Sequence, residues 1–143
     1  MTQEIIQRIY QEARIEHIPI MQEEGLLYCI DLIHQHAFKS ILEVGSAIGH
    51  WSLRIASRFP DVQIERIEKD DSRYLRAEKN VHDAQLTQLI HLYHQDVHDF
   101  VPSKMYDFIF LDGPKSQHRV LFEQFMPSLS PHGCFVIDNM GFH

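Results

Sequence analysis

The chain has 143 residues, a formal charge of −7, 44% hydrophobic residues and 23% charged residues. That length supports one domain with its own core, and the composition excludes a disordered or fibrous chain. The acidic balance argues against broad phosphate-neutralising binding of nucleic acid. No apolar run reaches membrane-spanning length, and no basic-then-apolar leader follows Met1. A single cytoplasmic domain over 1–143 is therefore expected. Cys29 and Cys134 lie far apart in apolar surroundings and are expected as buried thiols.

Residues 3–16 carry Ile5, Ile6, Ile9 and Ala13 at helical spacing. "HIPIM" (17–21) interrupts the pattern, because Pro19 disfavours helix in the residue before it. A second helix is predicted over 22–37, with Leu26, Leu27, Ile30 and Ile33 on its apolar face. Strand 41–44, helix 50–59, strand 62–68, helix 70–84 and strand 88–93 follow. Strand 106–112, a helix over 116–127 and strand 134–138 complete the pattern. Apolar strands alternating with amphipathic helices predict an α/β fold whose parallel sheet is covered on both faces. Ligands of such sheets sit beyond the carboxyl ends of the strands.

Acidic residues recur at those ends: Glu43, Glu68, Asp96, Asp112, and Asp138 followed by Asn139. One or two would serve as caps or turn formers. Acids at all five strand ends point to a shared ligand site. The histidines of "HLYHQDVHD" (91–99) offer a competing metal pattern, since His94 and His98 would share a face on a helix. That segment reads as a strand end and a turn, so surface histidines are expected and zinc is not. Trp51 is expected in the core.

"SILEVGSAIGHWSLRIA" (40–56) reads as strand, glycine loop and helix. Gly45 and Gly49 are one residue too close for a triphosphate loop, and no Lys-Ser/Thr pair follows them. Ala47 replaces the middle glycine of a dinucleotide fingerprint. The loop holds no basic side chain, which suits a ligand without phosphate. Glu68 at the next strand end can accept two hydrogen bonds from a ribose diol. A nucleoside with a charged, phosphate-free tail fits both features, and S-adenosylmethionine is the obvious candidate.

"ILEVGSAIGHWSLRIA" resembles motif I of the class I S-adenosylmethionine-dependent methyltransferases. "FIFLDGPKSQ" (108–117) and "FVIDN" (135–139) resemble the two later motifs of the metal-dependent catechol-type O-methyltransferases. "EHIPIMQEEG" (16–25) resembles the entrance segment of bacterial tRNA 5-hydroxyuridine methyltransferases. The resemblance implies a three-layer, Rossmann-like methyltransferase fold. It implies that Met21, Gly45, Ser46, Gly49 and Ser52 bind the cofactor on its methionine side, and that Glu43 also binds the cofactor. Glu68 would hold the ribose, and Asp96 and Val97 would flank the adenine, with Asp112 also reaching the cofactor. Asp112, Asp138 and Asn139 would ligate Mg2+, and Lys115 would stand at the catalytic lysine position beside Asp112.

Three oxygen ligands suit a hard cation that keeps open positions. Methyl transfer to a hydroxyl needs the oxygen as its anion, and a bound cation would lower its pKa. Lys115 could take the proton. Two acceptors fit: 5-hydroxyuridine in tRNA, favoured by the "EHIPIM" segment, and a small hydroxylated aromatic, favoured by the acidic charge. A cofactor-binding module without turnover is the alternative, because the family pattern continues past the metal motif with another helix and two strands. That leaves strand 134–138 as a bare edge, and self-association into a homodimer is expected.

Overall fold

The computed structural model describes residues 2–18, 20–45, 48–112 and 115–138. Ser46 and Asn139, both expected at the site, lie outside the described residues. Helices α1 (Thr2–Glu16) and α2 (Glu23–His36) precede β1 (Ser40–Val44). Then come α3 (His50–Arg58), β2 (Gln63–Glu68), α4 (Asp71–Asp83) and β3 (Ile90–His94). A short 3-10 turn, Val97–Asp99, leads to β4 (Tyr106–Asp112), α5 (Lys115–Phe125) and β5 (Leu129–Asp138). Each helix starts within two residues of its sequence expectation, because its apolar face is what the core buries.

The five strands form one parallel sheet in the order β3-β2-β1-β4-β5. The strand order reverses between β1 and β4, which opens a crevice at their carboxyl ends. Helices α1 to α4 cover one face and bury Ile9, Leu26, Ile33, Leu53 and Ile55 against Ile41, Ile64 and Phe108. On the other face, α5 and Phe100 pack on Leu42, Val44, Ile67 and Leu111. Trp51 is core, stacked on Phe110 at 4.6 Å between ring centroids. Cys29 and Cys134 are both free thiols, Cys29 buried and Cys134 half-buried. His94 pairs with Asp71 at 2.7 Å and stacks on Tyr74, while His91 bonds Gln63. No described helix is long and apolar enough to cross a membrane.

Strand β5 departs from expectation by starting at Leu129 rather than at residue 134. Its register against β4 shifts between Tyr106↔Leu129 and Phe108↔Cys134. The intervening "SPHG" is a bulge within a continuous strand. Asp107 secures this end of the sheet: it accepts from Ser130 Oγ at 3.2 Å and from the backbone N–H groups of Lys39 and Ser40.

Candidate active site

Strand alternation decides which side chains face the crevice. Glu43, Arg66 and Glu68 share the sheet face of Ile41, Ile64 and Phe108, and Asp112 follows in the same alternation on β4. Glu43 and Arg66 are register partners on adjacent strands. All four side chains are buried, Arg66 completely.

Arg66 is the residue that sequence reading missed. Its Nε lies 3.3 Å from Glu43 Oε1, and its Nη2 lies 3.6 Å from Glu68 Oε1. A buried carboxylate is tolerable only when paired or hydrogen-bonded. Glu43 also accepts from Ser52 Oγ. Glu43 and Ser52 are thus spent on tying the first turn of α3 to the sheet. The arginine carried a weak signal: in "QIERIE" it sits two residues before Glu68, on the same face. Its other partner lies 23 positions away, and only the register reveals it.

Glu68 accepts from the Asp70 N–H through Oε2 at 3.0 Å, while Oε1 has no hydrogen-bond partner among the described residues. Burial raises its pKa, and Arg66 opposes that rise. Asp112 Oδ1 is likewise buried without a hydrogen bond among the described residues. Burial, then Glu43 and Asp138, push the Asp112 carboxyl up to about 8. Asp138 ends β5 as the register partner of Asp112. A cation beside the two would supply what this donor set lacks.

Glu68 and Asp112 open onto a cavity of about 390 Å³, lined also by Val44, Gly45, Ile67, Gln95, Asp96, Val97, His98 and Gln117, among others. Gly45 is a close approach: a Cβ there would stand 3.3 Å from Glu43 Oε2 and 3.7 Å from Asp112 Oδ2. Gly49 caps α3 with φ 97°, a conformation glycine adopts without strain. The Ile48 carbonyl of this loop accepts from Asn80 of α4 at 3.2 Å. Asp96 caps the 3-10 turn by accepting from the His98 N–H at 2.9 Å, which holds its pKa down. Gln124 of α5 donates to the Val97 carbonyl at 2.8 Å and fixes that wall.

Gly45, Glu68, Asp96, Val97 and Asp112 therefore meet at one cavity. Lys115 is the exposed first residue of α5, three positions after Asp112. Met21 stands apart: it lines a second cavity, about 520 Å³, with His50 and residues of α1. Among the described residues no group of three or more His, Cys, Asp and Glu is placed to hold a metal ion.

The sequence profile of the methyltransferase domain matches residues 42–140. The structure superposes on a candidate caffeoyl-CoA O-methyltransferase from Staphylococcus aureus with a TM-score of 0.88 and 28% identity, over 93% of this chain and 65% of that one. It also superposes on the Bacillus cereus O-methyltransferase in complex with SAH (TM-score 0.81, 18% identity, 95% of this chain and 66% of that one), a likeness of fold. A curated relative, the tRNA1(Val) (adenine(37)-N6)-methyltransferase of Pedobacter heparinus, is 32% identical over 75 residues, 52% of this chain. The chain spans about a third of the length of that relative. The profile match, the parallel sheet and the acid-lined crevice at its switch point place this chain in the methyltransferase-domain family, among the class I S-adenosylmethionine-dependent methyltransferases.

Proposed function

We propose that residues 1–143 form one S-adenosylmethionine-binding domain, cytoplasmic and homodimeric, that methylates a hydroxyl oxygen. The observation that carries this reading is two buried carboxyl oxygens with no hydrogen-bond partner among the described residues, Glu68 Oε1, which has only its ion pair with Arg66, and Asp112 Oδ1, in residues lining one cavity. Such atoms are costly to leave unmet, and a ligand bringing donors or a cation would satisfy them. Glu68 accepts the ribose hydroxyls, with Arg66 and the Asp70 N–H holding its carboxylate in place. Gly45 admits the cofactor's tail beside the backbone, Gly49 turns the chain into α3, and Asp96 and Val97 form the adenine end. Ser46 belongs with the glycine loop in this reading.

Asp112 and Asp138 fit a divalent cation such as Mg2+, with Asn139 the third expected ligand. When bound, that ion would lower the pKa of the acceptor hydroxyl. Lys115, the first residue of α5, takes up the released proton at Nζ.

The proposed acceptor is the 5-hydroxyl of 5-hydroxyuridine in tRNA. The hydroxyl is supported by the likeness to the Staphylococcus aureus protein, and the tRNA by the name of the Pedobacter relative. A small hydroxylated aromatic is the second reading, supported by the same structural likeness and by the acidic net charge. The test is transfer of labelled methyl to tRNA carrying 5-hydroxyuridine, to adenine-containing tRNA without it, and to catechol. Product should appear on the first alone and vanish with excess chelator. Methylation of adenine would overturn the hydroxyl reading. Turnover in excess chelator would remove the metal role of Asp112 and Asp138. Cells lacking the gene should lose 5-methoxyuridine-type nucleosides from their tRNA.

A further inference from the structure

Among the described residues the second cavity shares no lining residue with the first. One face of α1 forms its wall: Ile6, Tyr10, Ala13 and Arg14 recur at helical spacing. Ile6 and Ala13 are buried and make the apolar floor, whereas the Tyr10 ring is 45% exposed. Across from it stands His50, the first residue of α3, its ring centroid 6.2 Å from that of Tyr10. His50 is only 3% exposed, and its Nδ1 has no hydrogen-bond partner among the described residues. Burial, reinforced by Arg54, drives its pKa down to about 4, so the imidazole is neutral at neutral pH. A neutral ring nitrogen can donate or accept according to its tautomer.

The charges of this cavity are local exceptions to an acidic protein. Arg54 gives both its terminal nitrogens to Glu23, at 2.9 and 2.7 Å, and that pair cancels. Arg14 has no acidic partner among the described residues. Two guanidiniums against one carboxylate leave one net positive charge in the cavity of a chain carrying −7. The volume, about 520 Å³, falls within the roughly 300–1,000 Å³ usual for small-molecule sites.

An aromatic face, a buried in-plane hydrogen-bonding atom and an unpaired cation thus converge. An inorganic anion would use only the cation, and an acyl chain only the floor. We propose that this cavity is a second ligand site, for a nucleotide unit whose base stacks on Tyr10 and meets His50 Nδ1 at its edge while its phosphate pairs with Arg14. The site is independent of the methyl acceptor proposed above. Its ligand is a free nucleotide or one residue of an RNA strand, which share this chemistry.

The test is calorimetry and NMR on the full chain with uridine and adenosine 5′-monophosphates, uridine, inorganic phosphate, a short oligouridylate and SAH. A monophosphate should bind, with uridine and inorganic phosphate each about ten-fold weaker. Tyr10→Ala and Arg14→Gln should each weaken monophosphate binding about ten-fold, through lost stacking and a lost charged hydrogen bond, while SAH affinity holds. Tighter binding of the oligouridylate supports the site with RNA as the source, and tighter binding of a monophosphate supports it with a free nucleotide. Inorganic phosphate binding as well as a monophosphate, indifference to both substitutions, or displacement of the nucleotide by SAH would each overturn the proposal.

Discussion

Arg66 illustrates how much one side chain can decide. It is fully buried between the carboxylates of Glu43 and Glu68, one on the neighbouring strand and one on its own. Removing one member of a buried ion pair leaves uncompensated charge, which costs about 3–5 kcal/mol. Arg66→Met should lower the urea midpoint accordingly, and adding Glu43→Gln should recover part of the loss, since contacting sites couple. An unchanged midpoint in Arg66→Met would show that the cluster is not held by this cation. Glu68→Ala should weaken SAH binding by about 1.5–3 kcal/mol in calorimetry, the usual worth of hydrogen bonds to a charged group. Unaltered affinity would remove Glu68 from the ribose. His50 makes a pH prediction. Its folded pKa, about 4, lies below the ordinary value of 6.5. The unfolded chain therefore binds the extra proton first, and the stability contributed by neutral His50 is complete above about pH 6.5 and lost as pH falls toward 4. The stability gap between the native chain and His50→Gln should shrink by about 3 kcal/mol across that window. The His50 ring resonances should stay fixed from pH 8 to pH 5, and titration near 6.5 would refute the neutral buried state.

At the scale of elements, two glycines make opposite predictions. A Cβ on Gly133, in the bulge of β5, would stand 2.6 Å from the Asp107 carbonyl oxygen and 2.8 Å from Leu129 Cδ1. Asp107 is committed on several sides, so this backbone cannot yield cheaply. Gly133→Ala should cost about 2 kcal/mol, within the range of steric lesions, and should speed amide exchange through Cys134–Asp138. A Cβ on Gly25 in α2 would instead meet the flexible end of Met21, at 2.7 Å from Cε. Gly25→Ala gains helix propensity and should be neutral or stabilising by less than about 1 kcal/mol. Equal melting temperatures for the two variants would show that the bulge is not the rigid feature described. The bulge also bears on the site, since it sets the register that brings Asp138 opposite Asp112.

At the scale of the molecule, β5 is the outermost strand beside β4 among the described residues, opposite β3 at the other edge of the sheet. Ile137 on β5 is 41% exposed, and Val120 and Phe122 of α5 are exposed as well. Unpaired strand edges with apolar side chains recruit another chain. The 143-residue chain should sediment as a dimer at high micromolar concentration, and Ile137→Lys should shift it toward monomer. A native chain that stays monomeric there, with Val136 unprotected from hydrogen exchange at every concentration, would sink this expectation.

Periodicity, punctuated by Pro19 and the glycine loop, told the helices from the strands in this chain, because apolar spacing reflects which face an element buries. The parallel sheet followed from alternation, and with it the gathering of Glu68, Asp96 and Asp112 at one end, since parallel strands all point their carboxyl ends the same way. The two glycines and the missing basic residue in their loop already separated this site from phosphate loops. What local sequence could not carry was distance across the fold. The pairing of Glu43 with Arg66 depends on strand register, and the continuity of β5 through "SPHG" depends on a bulge that β4 supports. The second cavity, with Met21 in its wall, depends on how α1 lies against α3. Each of these joins residues far apart in the chain, and only tertiary packing brings them within hydrogen-bonding or van der Waals reach.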